Sequence, residues 1–595
     1  MTKIRLAAFA ILSMILLGAC TKSDEHQVAT DSGPGNDLLS HVPADTPYLL
    51  ANLEPVPEEI IDTFLLRLQP VLDSMQTQLS IARTDMESTA ALPQGSEEAK
   101  EASHHNEMGV ALAHALLVEL DGKLNRPGLE SLGFDLRSNK VVYGMGAFPV
   151  IRLGLSDSEV LRVTIERVLS NAGIAAPEQN FQGVSYWRLG DEDVNESPIS
   201  LYLSILDDHL AISLFPAMAE SELLPAFLGL QMPADSNALA RLAELNRAHD
   251  YTPHGSGILD IRKLADQFLQ AETVAARTLA LSGDFDPASL SQECVSEIHG
   301  IIDNAPRITM GTTELTTSAV AVQYRVETPT SLAGQLMGLV SKIPMVEAHS
   351  DRILEFAFGM KFGPVRDFLR EKATAIVDDP YQCEHLTDLN SSASESLAQL
   401  NQPMPPFLNN FRGLRIRLSE IIMGHDSIPQ NARGHLAVHV EQPEMFIGMA
   451  QMFIPDLSTL SITPGDPPVR LPESLVPVPG IVAFAALSDD AIGLALGEGE
   501  ESGLLPYLDR KAGPQGTFLA ASYDVATYLD YTGKLGGNYQ DGIDQDNGDH
   551  DAHSQATREI HEAAMKSFSE MADRSYTTLR FTSDGFVADN QMTFK

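Results

Sequence analysis

The chain has 595 residues, 44% of them apolar, and sets 81 acidic side chains against 40 basic ones, a formal charge of -41 at pH 7. Such a surface repels nucleic acid and anionic headgroups, so no nucleic-acid partner is expected; affinity for cationic ligands and a merely solvated acidic surface both stay open. At about 150 residues per domain the length allows roughly four cores, before repeats are considered.

Lys3 and Arg5 are the only charges before Cys20, and Leu6 to Leu17 is an apolar run. This is a basic n-region followed by an h-region. Twelve residues of helix span roughly 18 Å, short of the roughly 30 Å hydrocarbon core, so a permanent transmembrane helix is not expected. The run closes on Leu17-Gly18-Ala19-Cys20, small residues and then a cysteine, which resembles the lipobox of bacterial lipoproteins. The resemblance implies a signal peptide over residues 1–19, cleavage before Cys20, and acylation of Cys20 by a diacylglycerol and a further chain such as palmitate. An ordinary signal peptide with an unmodified Cys20 is the alternative. Two or more chains anchor stably where one holds marginally, which makes the membrane an expected partner through the acylated Cys20. The expected location is the cell envelope, facing the periplasm. Thr21 is not the aspartate of inner-membrane retention and favours the outer membrane, whereas Lys22-Ser23 resembles a retention pair of pseudomonads and points to the inner one. Loss of Lys3 and Arg5 leaves 576 residues with a charge of -43. Residues 20–40 are polar, include Ser32-Gly33-Pro34-Gly35-Asn36, and read as a flexible tether reaching on the order of 25 Å.

Beyond the tether, segments recur in the same order. TPYLLANLEPVPEEII from Thr46 resembles ILEFAFGMKFGPVRDF from Ile353, and the strand ending Leu153 to Asp157 recurs at Val438 to Gln442. ISLYLSILDD from Ile199 matches IVAFAALSDD from Ile481; each leads into an alternating strand, from Leu210 and Ile492, and then a Leu-Leu-Pro at Leu223 and Leu504. Asp-Asp between alternating runs is a hairpin signal. Asp260-Ile261 echoes Asp524-Val525, Glu297-Ile298-His299 echoes Glu559-Ile560-His561, and each half closes on a hairpin, Arg307 to Val326 and Tyr576 to Phe594. Separations shrink from 309 at Pro55 and Pro364 to 264 at Asp260 and Asp524, as differing loops require. An internal duplication is expected, with a first α+β repeat over 41–330 and a second over 331–595. Helices over Glu159–Ala172 and Ser331–Ser341 pack on antiparallel sheets, and Arg83–Glu107 and Lys534–Thr557 read as polar insertions. Val42-Pro43-Ala44-Asp45-Thr46, LGFDL from Leu132 and ILDDHLAISL, within Val42–Leu269, resemble an uncharacterised domain-of-unknown-function family of exported bacterial proteins. That resemblance implies no activity and no functional residue.

The chemistry-bearing motifs are few. G-x-S-x-G, S-x-x-K, P-loop and dinucleotide patterns are absent from the sequence, no catalytic residue is assigned, and no cofactor is expected. His561-Glu562 begins a zinc-protease pattern, but Met565 takes the place of its second histidine. His435 and His439 lie four apart on an expected strand, roughly 13 Å, too far to share a metal ion. Asp541, Asp544, Asp546, Asp549 and Asp551 crowd one loop with His550 and His553, yet an EF-hand from Asp544 puts Gly548, Asp549 and Gln555 where its ligands and glycine belong. A solvated acidic loop is the leading reading, with an irregular calcium or transition-metal site as alternatives. Tyr186 and Trp187 either stack a ligand or fill a core. With Cys20 lipidated, Cys294 and Cys383 remain for a disulfide, which would join the first half to the second across a fixed groove; two buried free thiols, or a metal site that two thiolates alone would poorly furnish, are the alternatives. Function is expected to be that of a non-catalytic binding or scaffold module for an envelope protein. A carrier of a lipid or apolar ligand and a hydrolase with a dispersed site are the alternatives.

Overall fold

The apolar run Tyr48-Leu49-Leu50-Ala51 forms strand β1, held on one side by β2 (Lys140–Met145) and on the other by a strand over Ser256–Asp260. The structure, a computed structural model, describes residues 37–70, 111–123, 125–190, 199–281, 285–348, 350–423, 429–476, 480–530 and 568–595. Cys20, the tether before Asp37, both polar insertions with the five loop aspartates, and His561 lie outside the described residues. Two units emerge: the described parts of Met1–Leu290, Arg307–Val322 and His550–Met571, and those of Ser291–Pro306, Gln323–Asp549 and Ala572–Lys595. They are not contiguous in sequence, as a division at residue 330 would have made them.

The first unit continues with β3 (Phe148–Gly154), helix α1 (Ser158–Asn171), β4 (Gln179–Phe181), β5 (Val184–Leu189), β6 (Ser200–Ile205), β7 (His209–Phe215), α2 (Glu220–Phe227) and α3 (Ala238–His249). After them come β8 (Ser256–Asp260), α4 (Ile261–Leu269), β9 (Arg307–Leu315) and the start of β10 (Ala319–Glu327). Asp157 caps α1 by accepting from the Glu159 and Val160 amides at 3.1 Å, and Asp260 caps α4 from Lys263 N at 2.9 Å. All pairings are antiparallel, in the order β9-β8-β1-β2-β3-β7-β6-β5-β4. Both faces of the sheet are covered. Leu49, Tyr143, Tyr202 and Phe215 pack with Phe227 and Leu242 on one side, while Ile151, Leu210 and Trp187 pack with Leu161 and Leu169 of α1 on the other.

The second unit takes in α5 (Gln292–Ile302), then β11 (Leu354–Phe358), α6 (Phe362–Asp378), α7 (Thr387–Leu400), β12 (Phe411–Met423) and β13 (Pro429–Val440). Next are α8 (Pro443–Phe453), β14 (Val469–Arg470), β15 (Ala483–Leu487), β16 (Ala491–Leu496), α9 (Glu501–Leu508), β17 (Thr517–Asp524), β18 (Ala572–Thr582) and β19 (Gly585–Phe594). Arg366 and Arg370 donate to Leu400 O at 2.7 and 3.0 Å, cations on the negative end of α7. The antiparallel order is β19-β18-β17-β11-β12-β13-β16-β15-β14. Numbered within its own unit, and setting β4 aside, each ladder runs 8-7-1-2-3-6-5-4 over its first eight strands. The fold is α+β, with the same connectivity in both units.

Cys294 and Cys383 stand as a disulfide-distance pair, Cα atoms 4.5 Å apart. Both lie in the second unit, because α5 packs there although it precedes β9 in the chain. The Glu297 carboxylate on α5 accepts from the Gln382 and Cys383 amides at 2.8 and 2.9 Å, which fixes the helix beside that segment. The expected bond between the two halves, and the fixed groove it implied, are corrected accordingly.

Candidate functional site

Arg152 lies inward on β3 and is fully buried. Its Nη2 donates to Phe227 O in the last turn of α2 at 2.9 Å, its Nε to the Tyr143 hydroxyl at 3.2 Å, and its Nη1 to His209 Nε2 at 2.6 Å. Because a guanidinium only donates, His209 must accept at Nε2 and carry its proton on Nδ1, which faces Asp208 Oδ1 at 2.6 Å. The His41 ring packs 5.2 Å from that of His209. Gly229, at φ +71°, makes room: a Cβ there would lie 3.1 Å from His41 Cε1.

Burial above all, then the charge of Arg152, pushes the His41 pKa down to about 3, and burial lowers that of His209 against the opposing pull of Asp208. The His41 imidazole is therefore neutral in the fold down to about pH 3 and takes up a proton below about 6.5 once unfolded. Between pH 6.5 and 3 the unfolded chain binds more protons, so stability is lost as pH falls through that window. Glu119, held at about 2 chiefly by its bond to Arg167, adds the same sign only below 4.5. Urea unfolding followed at Trp187 should show a lower midpoint at pH 5 than at pH 7; an unchanged midpoint contradicts the assignment.

The second unit builds a related cluster with its groups one strand over. Arg152 faces Val141 across the β2–β3 ladder, whereas on β12–β13 the arginine is Arg415 and Ala437 faces it. Arg415 Nη1 donates to Tyr507 O in the last turn of α9 at 2.9 Å, as Arg152 does to α2. His209 faces Gly154; its counterpart is His439, facing Ala491, with Asp490 beside it at 3.8 Å where the first unit has Asp208. Arg415 and Arg417 lie 4.1 and 5.0 Å from the Tyr507 ring centroid, and His435 stacks on the same ring at 5.2 Å. Arg417 pairs with buried Glu355 at 2.5 Å. His435 Nε2 donates to Glu500 O at 2.8 Å, and burial lowers its pKa. His435 Nδ1 and both ring nitrogens of His439 are buried without a hydrogen bond among the described residues.

The matching faces differ in character. Where the first unit sets Leu49, Tyr143 and Val150, the second sets Glu355, Arg417 and His435, among Ala437, Ala486, Ala491 and Ala495. It also lacks α3: Asp509–Gly516, between α9 and β17, contains no helix.

Among the residues singled out from the sequence, His435 and His439 both lie on β13 and are buried. Tyr186 and Trp187 fill the core; the Tyr186 hydroxyl meets Glu220 at 2.5 Å and Gln179 at 2.8 Å. Among the described residues no group of three potential ligands could hold a metal ion, and no helix is long and apolar enough to cross a membrane. A shallow depression of about 290 Å³ on the first unit is lined by Lys123, Ser131, Val160, Val163 and Arg167, but Glu119 already pairs with both cations. Arg152, His209 and Arg415 escaped the sequence reading. The signal for each arginine was a charge at an inward position of a strand, in VIRLG and in GLRIRL. No known protein family, curated protein or solved structure matches the chain.

Proposed function

We propose that the protein is a lipoprotein of a bacterial cell envelope, held to the outer membrane by acylated Cys20 and facing the periplasm. In this reading two copies of one α+β unit offer binding or scaffold surfaces to an envelope component. The anchor is supported by Lys3, Arg5, the apolar run and the box Leu17–Cys20. Duplication is supported by the common strand order and by a buried arginine that meets a last-turn carbonyl of the corresponding helix from adjacent strands, Arg152 on Phe227 and, one residue earlier in its helix, Arg415 on Tyr507. Such a displacement preserves a contact while exchanging the residue that makes it, as diverging copies of one unit are able to do.

The observation that carries the binding role is how the buried polar groups are used. Arg152 and His209 bond to each other, to a tyrosine and to a helix end inside the core, which makes them packing groups and leaves recognition to the outer surfaces. Cys20→Ser is the first test: the variant should accumulate as an unlipidated precursor, and normally processed, membrane-bound protein from it would sink the anchor. Cross-linking in intact cells with mass spectrometry tests the rest. A reproducible envelope protein supports the scaffold, and stoichiometric extractable lipid replaces it with a carrier.

A further inference from the structure

Residues 442–465 contain only two charges, Glu444 and Asp456, in a chain where one residue in five is charged. The segment begins with α8, whose far end presents Met452, Phe453 and Ile454 at 75%, 80% and 41% exposure, with Met445 at 39% on the first turn. This end is built rather than frayed: Gln451 Nε2 donates to Leu457 O and Leu460 O at 3.2 and 3.0 Å, tying the following turn back to the helix. α1, which follows β3 as α8 follows β13, carries Glu159, Arg162, Glu166 and Arg167. The connectivity therefore does not demand an apolar helix here.

We propose that Met452, Phe453 and Ile454 seat in the apolar layer of a lipid bilayer and so orient the anchored protein on the membrane; this rests on the lipid-anchor reading of Cys20. Three observations select a bilayer as the occupant. Sixteen residues separate Cys20 from the first described turn, a tether with a mean reach of roughly 22 Å, so the bilayer is the apolar phase the body meets continually. A second copy is disfavoured by two processed chains of charge -43 repelling each other. Methionine is unbranched and adaptable, suited to a fluid partner with no fixed shape. Because the segment has no Lys or Arg, insertion needs no anionic lipid, unlike basic interfacial helices.

The test uses the full lipidated protein in phosphatidylcholine vesicles with brominated acyl chains. Trp187 is the only native tryptophan and is buried, so Phe453→Trp adds a distinguishable reporter at an exposed site, and Met452→Trp serves if the first variant folds poorly. The added indole should blue-shift and lose about half its emission to the bromines, as expected of a side chain about 5 to 10 Å into the boundary, with Trp187 unquenched. Replacing a third of the lipid with phosphatidylglycerol should not increase the quenching. An indole that stays open to acrylamide in vesicles overturns the proposal. So does protection that rises with protein concentration without lipid, which indicates a second copy, or that needs an envelope extract, which indicates a protein partner. Vesicle flotation reads the anchor separately: a protein that floats unquenched refutes only the tip, and one that does not float refutes the lipid-anchor reading.

Discussion

Arg152→Ala is expected to destabilise the first unit by about 3 to 5 kcal/mol, among the largest effects of any single substitution in it. The guanidinium is fully buried and bonds to Phe227 O, His209 Nε2 and the Tyr143 hydroxyl. Truncation leaves a helix-end carbonyl and an imidazole unpartnered in low dielectric and opens a cavity where the side chain lay. Arg152→Met refills most of that volume and removes the buried charge, so its loss should be smaller, about 1 to 3 kcal/mol for the unpaired groups that remain. Urea unfolding followed at Trp187 measures both. The second unit supplies a sharper variant. Its arginine stands on the neighbouring strand opposite an alanine, Arg415 against Ala437, so Val141→Arg combined with Arg152→Ala recreates that arrangement on β2 and β3. The double variant should be more stable than Arg152→Ala alone. If it is less stable, the correspondence between the units ends at the backbone and does not reach the side chains.

The contrast between what the sequence disclosed and what it hid follows the range of the interactions. β6 and β7 were legible because Asp207-Asp208 breaks two alternating runs within a dozen residues, and β15 and β16 because Asp489-Asp490 does the same. Asp157, Asp260 and Asp524 stood out in the sequence as repeat positions and not as helix caps, although the contact is local; Asp524 accepts from Thr527 N at 2.7 Å. Arg152 was not legible. Its carbonyl partner lies 75 residues on and its imidazole partner 57, and nothing within one strand distinguishes an arginine aimed at a helix end from one aimed at solvent. His209 was hidden beside the turn aspartates that disclosed the hairpin. The placement of α5 failed for a related reason: an amphipathic helix encodes the need for an apolar surface, not which surface. Chain order suggested the first unit, but the Glu297 carboxylate finds its amides at Gln382 and Cys383.

Those same contacts set the expectation for reduction. Opening the Cys294–Cys383 pair should lower stability by about 4 to 5 kcal/mol, because a cross-link across a separation of 89 residues removes that much chain entropy from the unfolded state. The native position of α5 should survive, since Glu297 still holds two backbone amides and Ser291 still caps the helix by accepting from Cys294 N at 3.0 Å. The loss therefore belongs to the unfolded ensemble rather than to broken native contacts. Calorimetry with and without reductant should show a melting temperature lower by roughly 10 °C, at about 2 to 4 °C per kcal/mol for a unit of this size. Cys294→Ala with Cys383→Ala should melt with the reduced wild type, which separates loss of the cross-link from any effect of the reductant. Non-reducing peptide mapping of the oxidised protein should recover the two cysteine peptides joined. Separate peptides, or a melting temperature indifferent to reductant, would mean that the two thiols lie adjacent and unbonded, with Glu297 alone holding α5 in place.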